Sequence, residues 1–204
     1  MEHQTQSECL QLLEQRYREK CATPSDINEH LPTLRRYAEN CRHVTELGVR
    51  TVVSTWAFLA GLADWRAANP MFSRTLVSVD IAHPIKHGGT LEDVIEAARA
   101  ARIVFEFIEG DDRKIILPAT DLLFIDTLHV EEQLRAELEL HAAAVRRWII
   151  LHDTQTFGVC GELPGTRGLR PAITHFLTEN REGRHWRVAE QFINNHGLTI
   201  LERT

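Results

Sequence analysis

Leu122-Leu123-Phe124-Ile125-Asp126 and Trp148-Ile149-Ile150-Leu151-His152-Asp153 are two apolar runs that each end in acid. Each has the length of a short buried strand that delivers polar side chains at its C-terminal end. The stretch between them, 130–147, reads as one helix. Strand, helix and strand in that order imply a crossover joining two neighbouring parallel strands. Such a unit sets Asp126, His152 and Asp153 side by side on the rim of a parallel sheet, where open α/β folds bind ligands.

The alternation extends outward from this unit. His43-Val44-Thr45-Glu46-Leu47-Gly48 is a candidate first strand ending at an acid and a glycine. Residues 51–65 have helical spacing, with Ser54 and Thr55 in or just before the first turn. A strand over 75–81 carries Asp80 at its end, and 90–101 reads as a helix opened by Thr90 with Asp93 three residues on, close to a capping box. A third strand over 103–108 is followed by a short connection through Asp111-Asp112-Arg113. After the His152-Asp153 strand, a glycine-rich loop over 154–168 leads to a helix over 169–180. A connection that long is either a lid or recognition loop or simply a long link. Two strands, 185–193 and 198–202, joined through Asn194-Asn195-His196-Gly197, carry a hairpin signal. The first forty-odd residues read as helices, with Pro32 suited to a first turn. The expectation is an α/β fold: a doubly wound, mostly parallel seven-stranded sheet with an antiparallel C-terminal hairpin, compact over 43–204, with an N-terminal helical extension over 1–42.

Composition narrows the function classes. The chain has 204 residues, 43% hydrophobic and 25% charged, ordinary values for a globular domain. A net charge of −6 argues against nucleic acid as the partner, because backbone binding needs a basic surface. No apolar run reaches membrane-spanning length, and Met1-Glu2-His3-Gln4 lacks the basic and apolar regions of a signal peptide. Cys9, Cys21, Cys41 and Cys160 show no zinc-ligand spacing and read as reduced thiols of a cytoplasmic protein rather than a disulfide framework.

The order of elements resembles that of class I S-adenosylmethionine-dependent methyltransferases. Glu46-Leu47-Gly48 followed by Ser54 resembles the first-strand motif of the catechol-type O-methyltransferases. Phe124-Ile125-Asp126-Thr127-Leu128-His129 with Ile150-Leu151-His152-Asp153-Thr154 resembles the "IDG-x-H … HD" pair of small bacterial methyltransferases related to the cephalosporin-hydroxylase and macrolide-sugar O-methyltransferase group. The resemblance covers roughly 27–203 and implies a Rossmann-like methyltransferase fold with S-adenosylmethionine as cofactor. By position, it implies that Glu46 and Gly48 begin the cofactor loop and that Ser54, with nearby N–H groups, holds the methionine carboxylate. It implies that Asp80 accepts the ribose hydroxyls and that Asp111 or Asp112 lies near the adenine. Asp126 is implied both as a cofactor neighbour and, with His152 and Asp153, as a ligand of a divalent ion. In one respect the chain departs from the pattern: Val52 stands where the family's loop has a second glycine, and its side chain should crowd the cofactor or force a different loop path.

Methyl transfer to oxygen needs donor and acceptor aligned and a proton removed from the hydroxyl. A divalent ion on Asp126, Asp153 and His152 could serve both needs. Carboxylates suit Mg²⁺, and an added imidazole shifts the preference toward Mn²⁺, Fe²⁺ or Zn²⁺. His129, three residues beyond Asp126, could be a general base or a further ligand, so His129, Asp126 and His152 form the expected catalytic set. Each has a plainer alternative: the acids could cap the following turn or helix, His152 could bond to backbone, and His129 could face solvent. Likewise Asp80 could be an ordinary surface acid and Glu46 a strand-end acid paired to the N-terminal helices. The expected activity is methylation of a hydroxyl on a small molecule, a sugar or natural-product intermediate, by a protein that could self-associate through its N-terminal helices. The rivals are a non-catalytic binding module of the same fold and a metal-dependent hydrolase or oxygenase built on the Asp/His cluster.

Overall fold

In a computed structural model, the protein is described over residues 6–68, 71–179 and 185–204. Residues 1–5, and Asn180 at the end of the expected last helix, lie outside them. The helices and strands run in the order α1 (Gln6–Ala22), α2 (Leu31–Ala38), β1 (His43–Leu47), α3 (Ser54–Ala68), β2 (Arg74–Asp80), α4 (Glu92–Ala100), β3 (Ile103–Glu109), β4 (Thr120–Ile125), α5 (Glu131–His141), β5 (Val145–His152), α6 (Leu169–Thr178), β6 (Trp186–Phe192) and β7 (Leu198–Arg203). They build the expected sheet of seven strands, in the order β3-β2-β1-β4-β5-β7-β6. β1 to β5 pair in parallel, and β7 runs antiparallel to both β5 and β6.

The apolar runs of β4 and β5 are continuous because both faces of the sheet are covered. Leu122 and Phe124 point into one core cluster with Leu34, Phe58 and Leu59, while Leu123 and Ile125 point into the other with Leu134, Leu138 and Ile173. The N-terminal helices are part of the first layer. α2 packs on α3, and α1 lies against α3 and α4. Arg35 grips both carboxylate oxygens of Asp64, and Arg16 reaches Asp93 at 2.6 Å. Among the described residues, no helix is long and apolar enough to cross a membrane.

Two boundaries differ from the sequence reading for a visible physical reason. The helix expected over 130–147 ends at His141, a single 3₁₀ turn covers Ala142–Ala144, and β5 starts at Val145. Val145 is β-branched, fully buried and paired with Thr120, so strand pairing overrides the helical propensity of the alanines before it. The helix expected from Thr90 begins at Glu92. Thr90 Oγ1 accepts from the Glu92 amide at 3.3 Å, whereas Asp93 is drawn off to Arg16 instead of closing a capping box. The hairpin joins the sheet through β7, which inserts between β5 and β6 and leaves β6 at the edge.

The chain leaves β1 toward β2 and β3 and then returns to β4, so the crevice between the ends of β1 and β4 is the topological switch point. Gly48 closes it. Its φ is +86°, and a Cβ there would stand 1.9 Å from the Asp126 carbonyl oxygen. The Asp126 amide in turn donates to the Leu47 carbonyl at 2.8 Å. Gly48→Ala is therefore expected to cost about 2–4 kcal/mol, from left-handed strain plus backbone overlap. Urea denaturation checks this, and a loss below about 0.5 kcal/mol, the scale of a neutral surface change, would show that the two strand ends separate freely.

Candidate functional site

Successive residues of a strand face opposite sides of a sheet, yet His152 and Asp153 converge. The backbone at Asp153 explains it: β5 ends at His152, and Asp153 adopts φ +58°, a left-handed conformation that aspartate tolerates better than most residues. Asp126 arrives from the end of β4. One ligand atom each from Asp126, His152 and Asp153 lies within 4.8 Å of the others.

Two imidazoles sit among these acids. His152 Nδ1 is 3.1 Å from Asp126 Oδ1 and 3.3 Å from Asp153 Oδ2. Its Nε2 faces the carbonyls of Asp26 at 3.1 Å and Asn195 at 3.4 Å. A carbonyl only accepts, so Nε2 carries a proton and Nδ1 is the nitrogen turned to the carboxylates. His129 Nε2 is 3.1 Å from both Asp126 Oδ1 and Asp153 Oδ2, and its Nδ1 is 2.9 Å from Glu162 Oε2. The His129 ring stacks on Phe157, with centroids 5.0 Å apart and planes at 10°. Burial opposes charge on both rings, but the acids override it. Asp126 above all raises His152 to about 10, and also raises His129. Burial pushes the Asp126 carboxyl up, but the two histidines hold it below the usual carboxylate range.

Two cavities flank Gly48. The first, about 270 Å³, is lined by Asp26, Ile27, Thr51, Ser54, His129, Asp153 and Glu162 among others. The second, about 350 Å³, lies over the ends of β2 and β3, with Val79, Asp80, Ile81, His87, Gly110, Asp111, Asp112 and Gln133. Gly48, Arg50, Asp126, Thr127 and Leu128 line both.

The remaining expected residues are placed as follows. Asp80 borders the second cavity and tethers the loop after β1, with Oδ2 accepting from the amides of Val49 at 2.8 Å and Arg50 at 2.9 Å. Asp111 borders the same cavity and is paired with Arg113 and Lys114. Ser54, the first residue of α3, lines the first cavity and donates its hydroxyl to Glu46. Glu46 lines neither cavity: it is fully buried, and it also accepts from Thr55 at 2.9 Å and Ser78 at 2.7 Å. Polar contacts tie the N-terminal segment to the β6–β7 turn beside His152: Asn195 Nδ2 to Ser25 O, Glu29 N to Asn195 Oδ1, and Asn194 Nδ2 to Glu29 Oε2. Arg50, in the loop after β1, donates from Nη2 to Asp26 Oδ2, and both residues line the first cavity.

Of the two outcomes expected of Val52, the loop follows a path that keeps this side chain out of both cavities. The loop takes a left-handed turn there, with φ +57°, the conformation a glycine would supply. The side chain turns into the first core cluster, over Gly89, and lines neither cavity. Sequence reasoning also passed over Glu162 and Asp26. Glu162 could have been flagged as an acid beside Gly161 in the long loop. Asp26 holds His152 through its backbone carbonyl, which no side-chain pattern reveals.

Solved structures similar to this chain include methyltransferases. An O-methyltransferase from Bacillus cereus in complex with S-adenosylhomocysteine (SAH) superposes with a TM-score of 0.62 at 16% identity, over 95% of this chain and 91% of that one. The O-methyltransferase TomG from Streptomyces achromogenes, involved in tomaymycin synthesis and in complex with S-adenosylmethionine, gives 0.59 at 16% identity, over 97% and 90%. The SAH-bound methyltransferase PaMTH1 from Podospora anserina gives 0.59 at 13% identity, over 97% and 93%. No family model matches the chain, and no curated protein sequence does so significantly. The fold is thus that of the class I S-adenosylmethionine-dependent methyltransferases.

Two measurements check this description of the loop. Burial raises the Glu46 carboxyl to about 7 from 4.5, with the Ser54, Ser78 and Thr55 hydroxyls only partly offsetting it. The folded chain therefore binds this proton more tightly than the unfolded chain. The stability it contributes is full below the unfolded value and fades as pH rises through the folded one, by roughly 3 kcal/mol at most. Glu46→Gln should flatten the stability–pH curve between the unfolded value of 4.5 and the folded value of about 7 in denaturant titrations, and an unchanged curve would contradict the assignment. Val52→Gly should cost about 1–2 kcal/mol, lost burial outweighing relieved strain. It should leave SAH affinity within about threefold, whereas a sharp gain would mean that Val52 obstructs the cavity after all.

Proposed function

We propose that this protein is an S-adenosylmethionine-dependent O-methyltransferase that acts on a hydroxyl of a small molecule with a divalent cation, Mg²⁺ or Mn²⁺, in its site. The observation that carries the reading is the convergence of Asp126, His152 and Asp153 at the switch point, beside the Gly48 loop. The donor set suits a cation: two carboxylates, plus an imidazole whose second nitrogen is committed to backbone carbonyls. Asp153 Oδ1 supports it further, being buried with no hydrogen-bond partner although His196 Nδ1 lies 3.1 Å away. Such an ion, when bound, would hold acceptor oxygens and lower the pKa of the hydroxyl.

S-adenosylmethionine supplies an electrophilic methyl group, so the chain itself must bind, orient and take up one proton. The second cavity, with Asp80 at the end of β2, suits the adenosine half. The start of α3 and Arg50 at the first cavity suit the methionine carboxylate. His129 is the candidate proton acceptor, its ring fixed by Glu162 and by stacking on Phe157. The first cavity sets the acids Asp26, Asp126, Asp153 and Glu162 and the hydroxyls of Thr51, Ser54 and Thr127 beside the aliphatic Ile27, Val49, Val53 and Leu128, with no Phe, Tyr or Trp among its lining residues. That favours an aliphatic hydroxyl compound such as a sugar over a phenol, in keeping with the motif resemblance to the macrolide-sugar group.

Calorimetric titration of SAH with and without Mg²⁺ or Mn²⁺ tests the reading. Micromolar binding, strengthened by the metal, is expected. Asp126→Asn and Asp153→Asn should each abolish the metal's effect while circular dichroism stays unchanged. Absence of SAH binding under all conditions would refute the cofactor assignment. A metal effect that persists in both variants would refute the metal site.

A further inference from the structure

Behind the second cavity lies a set of buried polar groups that the proposed chemistry leaves unused. Glu137, on α5, is fully buried and lines neither cavity. Its Oε1 accepts from the Thr127 hydroxyl at 2.5 Å and from the Gln133 amide at 2.7 Å. The same Gln133 nitrogen donates to Asp112 Oδ1 at 3.1 Å, and His141 Nε2 donates to the Asp112 backbone carbonyl at 3.0 Å. One side chain thereby connects two cavity-lining segments that are remote in sequence. Thr127 directly follows Asp126 at the end of β4, and Asp112 belongs to the turn after β3.

A carboxyl group costs more to bury here than a leucine would. Burial, and then the Asp112 side chain beside it, raise Glu137 well above the usual carboxylate range and favour its neutral form. Oε1 already accepts two hydrogen bonds and no donor reaches the buried Oε2, which leaves Oε2 to carry the proton and the adjoining Asp112 side chain to accept it. A fully buried hub of this kind specifies geometry rather than adding bulk stability.

We propose that Glu137 is a positioning residue for the cofactor, holding Gln133, Asp112 and Thr127 in the arrangement that the second cavity presents to an adenosine group. The inference rests on the methyltransferase reading above. What the network needs is an acceptor at Oε1 and a donor at Oε2, which a carboxamide also provides.

The test is SAH affinity by calorimetry for wild type, Glu137→Gln, Glu137→Leu and Thr127→Val, each with a thermal melt. Glu137→Gln should bind within about threefold of wild type, and Glu137→Leu should bind about tenfold or more weakly with an unchanged or higher melting temperature. Equal affinity in wild type and Glu137→Leu overturns the proposal. So does an equal loss in Glu137→Gln and Glu137→Leu, since the neutral isostere must rescue. If Glu137→Leu does not fold, Thr127→Val decides: weaker binding supports the proposal and unchanged binding overturns it. Failure of the wild type itself to bind SAH overturns the methyltransferase reading and this inference with it, and is distinguishable from every other outcome.

Discussion

The passage of Gly48 against the backbone of Asp126 is the contact on which the rest of the site depends. With no side chain at that point, β1 and β4 finish close enough for the loop after one and the turn after the other to form a common floor. Both cavities share that floor, and Asp126 borders each. Asp80 then fixes the loop by accepting from two of its amides, and Glu46 fixes the start of α3 by gathering three hydroxyls.

Around that floor, groups from distant parts of the chain set the state of the ionisable side chains. His152 is oriented by the carbonyls of Asp26, from the N-terminal segment, and Asn195, from the turn between β6 and β7. Asn195 in turn donates to Ser25 O and accepts from the Glu29 amide, so two remote segments form one roof. His129 is gripped from the other side by Glu162 of the glycine-rich loop. The N-terminal helices therefore cover the first core layer, and the segment between them also builds part of the site.

Much of this was legible in the chain. Apolar runs ending in acid are what a parallel sheet covered on both faces requires, and the sheet, its antiparallel hairpin and the shared rim of Asp126, His152 and Asp153 follow from them. Local patterns misled where a tertiary partner competed for the residue. Val145 left the expected helix to pair with Thr120, and Asp93 left its expected cap for Arg16. Val52 looked like an obstruction because sequence gives the volume of a side chain but not its direction, and here a left-handed backbone sends it into the core.

The sequence by itself determined the fold class and which acids reach the rim, because periodicity and strand length are local properties summed along the chain. Only the tertiary structure decided which nitrogen of His152 faces the carboxylates, how Glu162 and Asp26 enter the site, and how Glu137 joins two walls of a cavity. These depend on contacts between segments up to 126 residues apart, as from Asp26 to His152, and several run through backbone carbonyls. A carbonyl is present in every residue, so no residue pattern marks the one that matters.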